Sequence, residues 1–232
     1  MTDTIRWQAP KALDGLAGES VHLWKIRADE TGMALNTCLR LLGERQRARA
    51  ERMRHQPYRE RYIRAQAGLR LILGRYLDTD PGSIRFGHGP AGKPFVDSSG
   101  HPIAFNLTTT GDLALVAVGA GNGPDAEIGV DCEWIRPRID IQAVARRMFS
   151  PEVAESLAQL PEAERLERFY RDWTALEADA KCDGRGLFRP RAPDAVAPQV
   201  LHCIPEPGYV AAIARARLPA LETWSTFDLT PG

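Results

Sequence analysis

The chain has 232 residues, enough for one large domain or two small halves with a real core. Lysine plus arginine equals aspartate plus glutamate at 30 each, a balance that argues against a general polyanion binder. Its four cysteines (Cys38, Cys132, Cys182, Cys203) are far apart and form no CxxC pair, which argues against a disulfide framework and a zinc pattern. The opening "MTDTIRWQAPK" has no apolar signal core, and the longest apolar run, Leu113 to Gly121, is too short to span a bilayer. The expectation is a soluble protein of the reducing cytoplasm, with no membrane contact.

"VHLWKI", Val21 to Ile26, reads as a strand, with Val21, Leu23 and Lys25 on one face and His22, Trp24 and Ile26 on the other. A polar stretch follows. Glu44 to Leu77 reads as helix punctuated by Pro57. In its second part Tyr62, Leu69, Leu73 and Leu77 recur at helical spacing, and Ile63 and Ala67 widen the stripe. From Glu44 to Arg75 there are ten arginines against three acids. Such a run is ordinarily a solvated helix face. The sharper alternative is a docking surface for phosphates or for an acidic partner protein. Tyr58 and Tyr62, with Tyr76 just beyond, sit in no nucleic-acid motif, so nucleic acid is not the expected partner.

"DTDPGS" ends the helix, "IRF" begins a strand, and "GHGPAGKPF" is a Gly/Pro loop. "IAFNLTTT" and "LALVAV" read as two strands joined across Gly111-Asp112. "AGNGPD" (Ala120 to Asp125) is the candidate boundary. "AEIGVDCEW" reads as a strand and "IDIQAVARRMF" as a helix. "SPEVAESLAQL" opens another, with Ser150 as N-cap and Pro151 at the first helical position. "EAERLERFYRDWTALEADAKC" is a long helix that stops at Gly184 or Gly186, and "PGYVAAIARA" is a strand. A faint repeat runs through this order. Glu60-Arg61-Tyr62-Ile63-Arg64 matches Glu167-Arg168-Phe169-Tyr170-Arg171, and "GDLALVAV" matches "GYVAAIAR". A duplicated α+β unit explains it; so does chance similarity of amphipathic helices.

On a strand, period two puts Asp131 and Glu133 of "IGVDCEW" on one face and Cys132 on the other. Two adjacent carboxylates repel. They are either solvated on an exposed face or offset by a cation. "DWTALEADAK" adds Glu177, beside Trp173 and Leu176, with Lys181 four residues on along the same face. That pair is an ordinary surface ion pair, or it brings a third carboxylate to the strand and completes an all-oxygen site for a hard cation such as magnesium. "GHGPAGKP" offers glycines for close backbone approach and Lys93 as a point charge for phosphate.

"IRFGHGPAGKP", "FNLTTTGDLALVAV", "GVDCEW", "RRMFSPEV" and "FYRDWTALEADAKCDGRGL", in this order and spacing, resemble the Sfp-type 4′-phosphopantetheinyl transferases. The combination of "GVDxE" with "W-x-x-x-E-x-x-x-K-x-x-G-x-G-L" carries the resemblance. It implies an α+β fold of two similar halves related by a pseudo-twofold axis, 1–123 and 124–232, with a ligand cleft between them. It also implies a monomer. The implied reaction moves the 4′-phosphopantetheine arm of coenzyme A to a serine of an apo acyl or peptidyl carrier protein, with magnesium, and releases 3′,5′-ADP. By the resemblance Asp131, Glu133 and Glu177 hold the metal. Glu177, or a water it orients, takes the serine proton, and Lys181 contacts phosphate. Lys93 and Pro94 belong to the loop at the adenine nucleotide end, Arg49 and Arg61 face the 3′-phosphate, and Thr108 and Thr109 line the phosphates.

Two positions depart from the family pattern. Thr109 stands where "FN(L/I)SHSG" has histidine, and Leu176 where "W-x-x-K-E-x-x-x-K" has its first lysine. Threonine donates one hydrogen bond and carries no charge. Hydrogen bonds to charged groups are worth roughly 1.5–3 kcal/mol, so each loss weakens binding or turnover by about one to two orders of magnitude. Three readings follow: a divergent transferase of reduced rate, a non-catalytic relative that binds coenzyme A or a carrier protein, and a different metal-dependent enzyme on the same scaffold. Asp179 and Ala180 also depart from the usual aromatic and aliphatic pair.

Overall fold

Alternating strands build the centre of the molecule. The computed structural model describes residues 3–10, 15–96, 102–121, 123–137 and 140–229. One four-stranded sheet runs β10 (Ser225–Leu229), β2 (Val21–Arg27), β6 (Leu113–Ala120), β5 (Ile103–Thr110). The other runs β1 (Asp3–Thr4), β8 (Gln199–Ile204), β9 (Tyr209–Arg215), β7 (Ile128–Trp134). Val21, Leu23, Leu113, Leu115 and Ala117 of the first share an apolar cluster with Ile128, Val130, Cys132, Ala211 and Ile213 of the second. One face of each sheet therefore lies between the sheets, and period two turns the next residues outward.

Helices cover the outward faces. Trp24, Ile26, Ala114 and Val116 pack against α3 (Gln56–Leu77), together with α1 (Leu35–Leu41) and α2 (Glu44–Arg52). Ala212 and Ala214 pack against α6 (Glu162–Asp183), while α4 (Ile141–Met148) and α5 (Pro151–Gln159) join α6 in a further cluster. A short hairpin of β3 (Phe86–His88) and β4 (Pro94–Val96) completes the set. The class is α+β, as expected.

Local signals account for several helix ends. Pro57 falls in the first turn of α3, where its missing N–H is not needed, so the expected single helix is two, α2 and α3. The Ser150 hydroxyl accepts the Val153 N–H at 3.4 Å, and Pro151 is the first residue of α5. Helix α6 stops at Gly184, whose φ of 67° is left-handed. The expected start of α4 at Ile139, and Asn122 within the candidate boundary, lie outside the described residues. Helix α1 and strands β1, β8 and β10 carry no comparable signal and were not expected. The chain ends cross over: β10 pairs in parallel with β2, and β1 in parallel with β8. Gln8 then continues onto β10, donating to the Thr226 carbonyl at 3.0 Å. The first sheet thus takes β10 from the far end of the chain, and the second takes β1 from its beginning.

Candidate active site

The two sheets also meet edge to edge, β5 beside β7, and side chains make the seam. Asn106 Oδ1 accepts the Val130 N–H at 3.0 Å. Thr108 Oγ1 donates to Asp131 Oδ1 at 3.0 Å. Thr110 Oγ1 donates to Glu133 Oε2 at 3.2 Å and accepts the Trp134 N–H at 3.3 Å. Alternate residues of β5 thus face the carboxylate strand, while Leu107 and Thr109 face the opposite way. Phe105, of the same parity, joins the core beneath α3.

Helix α6 crosses the strand face that carries Gly129, Asp131 and Glu133. A Cβ at Gly129 would lie 2.0 Å from the Ala178 carbonyl oxygen and 2.5 Å from the Cys182 nitrogen. Only glycine permits this approach. It brings Lys181 Nζ to 2.6 Å from Asp131 Oδ1 and 3.8 Å from Glu177 Oε2. Asp131 is 4% exposed, and its second oxygen, Oδ2, is buried with no hydrogen-bond partner among the described residues. Burial pushes its carboxyl up from the ordinary range, with Lys181 and Thr108 pulling it partly back. Burial also pushes Glu177 up; Lys181 opposes this, and the negative charges of Asp131 and Glu133 reinforce it. The three carboxylates therefore share one electrostatic neighbourhood. Among the described residues, no three His, Cys, Asp or Glu side chains are arranged as a ready metal cage; Lys181 stands between Asp131 and Glu177.

Two cavities adjoin the seam. The smaller, about 220 Å³, is lined by Glu177, Lys181, Gly184, Leu187 and the 91–94 loop. The larger, about 860 Å³, lies against α2 and is lined by Arg45, Arg49, Arg52, Arg70, Arg85, His88 and Thr109. Gly92, Pro94, Asn106 and Leu107 line both, so the two are neighbours. Arg49 lies over the Tyr62 ring at 5.2 Å. Burial lowers the His88 pKa, and the Arg45 charge lowers it further. Sequence reading reached Arg49 but passed over Arg45 and Arg52, although spacings of four and three put all three on one face of α2. Arg85 and His88 had no signal beyond proximity to the Gly-rich loop.

Three expected residues lie elsewhere. Thr108, expected to line the phosphates, is buried, lines neither cavity and gives its hydroxyl to Asp131, because period two turns it to the carboxylate strand. Arg61 pairs with Asp112 at the β5–β6 turn, 2.5 Å away, and lines neither cavity, so its guanidinium does not join the arginines of α2. Lys93 donates to the Glu127 carboxylate and to two backbone carbonyls, so its ammonium is not offered to the cleft as a free charge. Leu176 is half-buried on α6. Asp179 accepts ion pairs from Arg185 and Arg191, which ties the loop after α6 back to the helix. That accounts for an acid at this position.

Arginines beside a strand-and-helix cluster of carboxylates and one lysine have the chemistry of a site for phosphate groups. The sequence model described as the 4′-phosphopantetheinyl transferase superfamily matches residues 127–207, the span that holds β7 and α6. The 4′-phosphopantetheinyl transferase HetI of Nostoc is 33% identical over 219 residues, covering 87% of this chain and 90% of the relative. AcpT of Salmonella typhimurium is 37% identical over 167 residues, covering 70% and 77%. Sfp of Bacillus subtilis is 28% identical over 145 residues, covering 62% and 61%. The chain belongs to the 4′-phosphopantetheinyl transferase superfamily and is an enzyme of the transferase kind.

Proposed function

We propose that this enzyme transfers the 4′-phosphopantetheine arm of coenzyme A to a serine of an apo acyl or peptidyl carrier protein, magnesium-dependent and acting as a monomer. The observation that carries this is the meeting of Asp131, Glu177 and Lys181 beside an arginine-lined cleft large enough for a nucleotide. We take α3 and α6, each of 22 residues and each laid on a four-stranded sheet, as equivalent parts of two related halves, 1–123 and 124–232.

The residues fit a hard cation. All donors are carboxylate oxygens, the ligand type magnesium takes, and Asp131 Oδ2 is a buried oxygen in need of a partner. Asp131, Glu133 and Glu177 would hold the ion, which supplies positive charge against pyrophosphate oxygens. The chain does the rest. Arg45, Arg49 and Arg52 take the phosphate-rich nucleotide end. The backbone of Gly92 to Pro94 walls both cavities. Lys181 places its ammonium at the phosphorus end, beside Glu177. Thr108 and Thr110 hold Asp131 and Glu133 in position. The carrier serine oxygen forms a bond to the phosphorus that bears pantetheine, and the bond from that phosphorus to 3′,5′-ADP breaks. Glu177, whose affinity for a proton is raised by burial, accepts the serine proton directly or through water. Thr109, on the wall of the larger cavity, contributes no charge, so the rate falls below that of a chain with histidine there.

The test is incubation with magnesium, coenzyme A and several apo carrier proteins, read as the mass gain of the arm. Coenzyme A binding by calorimetry without mass gain on any carrier would refute the transfer reaction and leave a binding protein.

A further inference from the structure

Lys93 sits in the loop shared by both cavities, yet its charge is directed elsewhere. Nζ donates to the Glu127 carboxylate, to the Ile128 carbonyl at 3.1 Å and to the Cys182 carbonyl at 2.6 Å. An ammonium has three donors, and here each has an acceptor; the side chain is 13% exposed. Glu127 immediately precedes β7 and Ile128 opens it, close before Asp131. Cys182 lies in the last turn of α6, next to Lys181. Its carbonyl is one of the four that a helix leaves without an internal partner, at the end where the dipole favours a cation. The left-handed stop at Gly184 accommodates the lysine stem, because a Cβ there would lie 3.1 Å from Lys93 Cβ and Cδ.

We propose that Lys93 is a positioning residue: an ammonium strut that ties the Gly92–Pro94 backbone to the start of β7 and the end of α6, and so sets the nucleotide wall of one cavity against the carboxylates of the other. Its effect on ligand binding rests on the coenzyme A reading above. A lysine that contacted phosphate directly would be hindered by Glu127, and removing that acid would free it. A strut needs Glu127. The two roles therefore give opposite signs for one substitution.

Calorimetric titration of coenzyme A and of 3′-dephospho-coenzyme A separates them. Lys93→Met is expected to weaken both ligands by the same factor, roughly tenfold. Glu127→Gln weakens both as well, and the double variant is no worse than Lys93→Met alone. Lys93→Arg recovers part of the loss, since a guanidinium still bonds carboxylate and carbonyls. Tighter coenzyme A binding by Glu127→Gln, or a loss confined to the ligand that carries the 3′-phosphate, overturns the strut. Absence of coenzyme A binding by the parent protein overturns the coenzyme A reading instead. The strut is then judged by amide hydrogen exchange on the ligand-free protein. Lys93→Met should speed exchange both in the loop closed by the Gly89-to-Lys93 and Gly92-to-Gly89 hydrogen bonds and in the last turn of α6. Unchanged protection at the end of α6 overturns it.

Discussion

Gly129→Ala is the sharpest test of how the site is built. The added Cβ would lie 2.0 Å from the Ala178 carbonyl oxygen, 2.5 Å from the Cys182 nitrogen and 2.9 Å from its Cα. All three atoms are helix backbone and cannot rotate away. Relief requires α6 and β7 to separate by more than an ångström at this crossing. Overpacking of this kind costs about 1–3 kcal/mol; contact with rigid backbone puts it at the top, near 3 kcal/mol. For a chain of this size the melting temperature falls by about 2–4 °C per kcal/mol, hence by roughly 6–12 °C. The functional loss should be larger. Ala178 and Cys182 are the neighbours of Glu177 and Lys181, so the same displacement pulls both away from Asp131. An ångström of misplacement costs on the order of a hundredfold in rate. Circular dichroism melting gives the first quantity. The transfer rate, measured well below the lowered melting point, gives the second. Coenzyme A affinity should fall as well but by less, roughly tenfold, because Lys93 bridges the Ile128 and Cys182 carbonyls across this crossing while the arginines of α2 lie on the other sheet's helical layer. A folded variant that transfers within about twofold of the parent would refute the claim that this glycine sets the distance from helix to strand.

Thr108→Val keeps shape and removes only the hydroxyl bonded to Asp131. That bond favours the ionised carboxylate, so its loss raises further a pKa already raised by burial. In the proposed mechanism Asp131 acts ionised, so the acid limb of the pH–rate profile should move to higher pH, with roughly a 10- to 100-fold loss on that limb; an unmoved limb would separate Asp131 from the reaction. Glu133→Ala should abolish the magnesium dependence of coenzyme A binding in calorimetry, and unchanged binding would remove the metal role of these carboxylates. Thr109→His and Leu176→Lys should each raise transfer, by at most about 10- to 100-fold and not additively. If neither does, the rate is limited at another position.

What the sequence carried was local. The alternation in "IGVDCEW" separated Asp131 and Glu133 from Cys132, and Cys132 lies between the sheets. Ser150 with Pro151, and Gly184, marked helix ends because capping is decided within a few residues. What the sequence could not carry was partnership at a distance. Lys93 is 89 residues from the Cys182 carbonyl it meets, and no periodicity joins them. Arg61 looked like one more phosphate-facing arginine until Asp112 took it. Parallel pairing of β10 with β2 joins opposite ends of the chain, and short strands with ordinary composition give no sign of their neighbours. The three threonines lie between these cases. Their alternation was legible, but that two of them bond the carboxylates depended on which strand came to lie beside β5.

The seam between β5 and β7 has a consequence for how the molecule behaves in a crowded solution. An unpaired strand edge is a template on which another chain can add a strand and begin to aggregate. Here the outward N–H groups of Val130 and Trp134 on β7 are already taken by Asn106 and Thr110. At the far edge of the first sheet, Gln8 occupies the Thr226 carbonyl and the Asp228 N–H of β10. Thr110, which holds Glu133 in position, therefore also helps Asn106 close an edge against intruding strands. A substitution such as Asn106→Ala would expose that edge, and its first symptom would be loss of soluble protein.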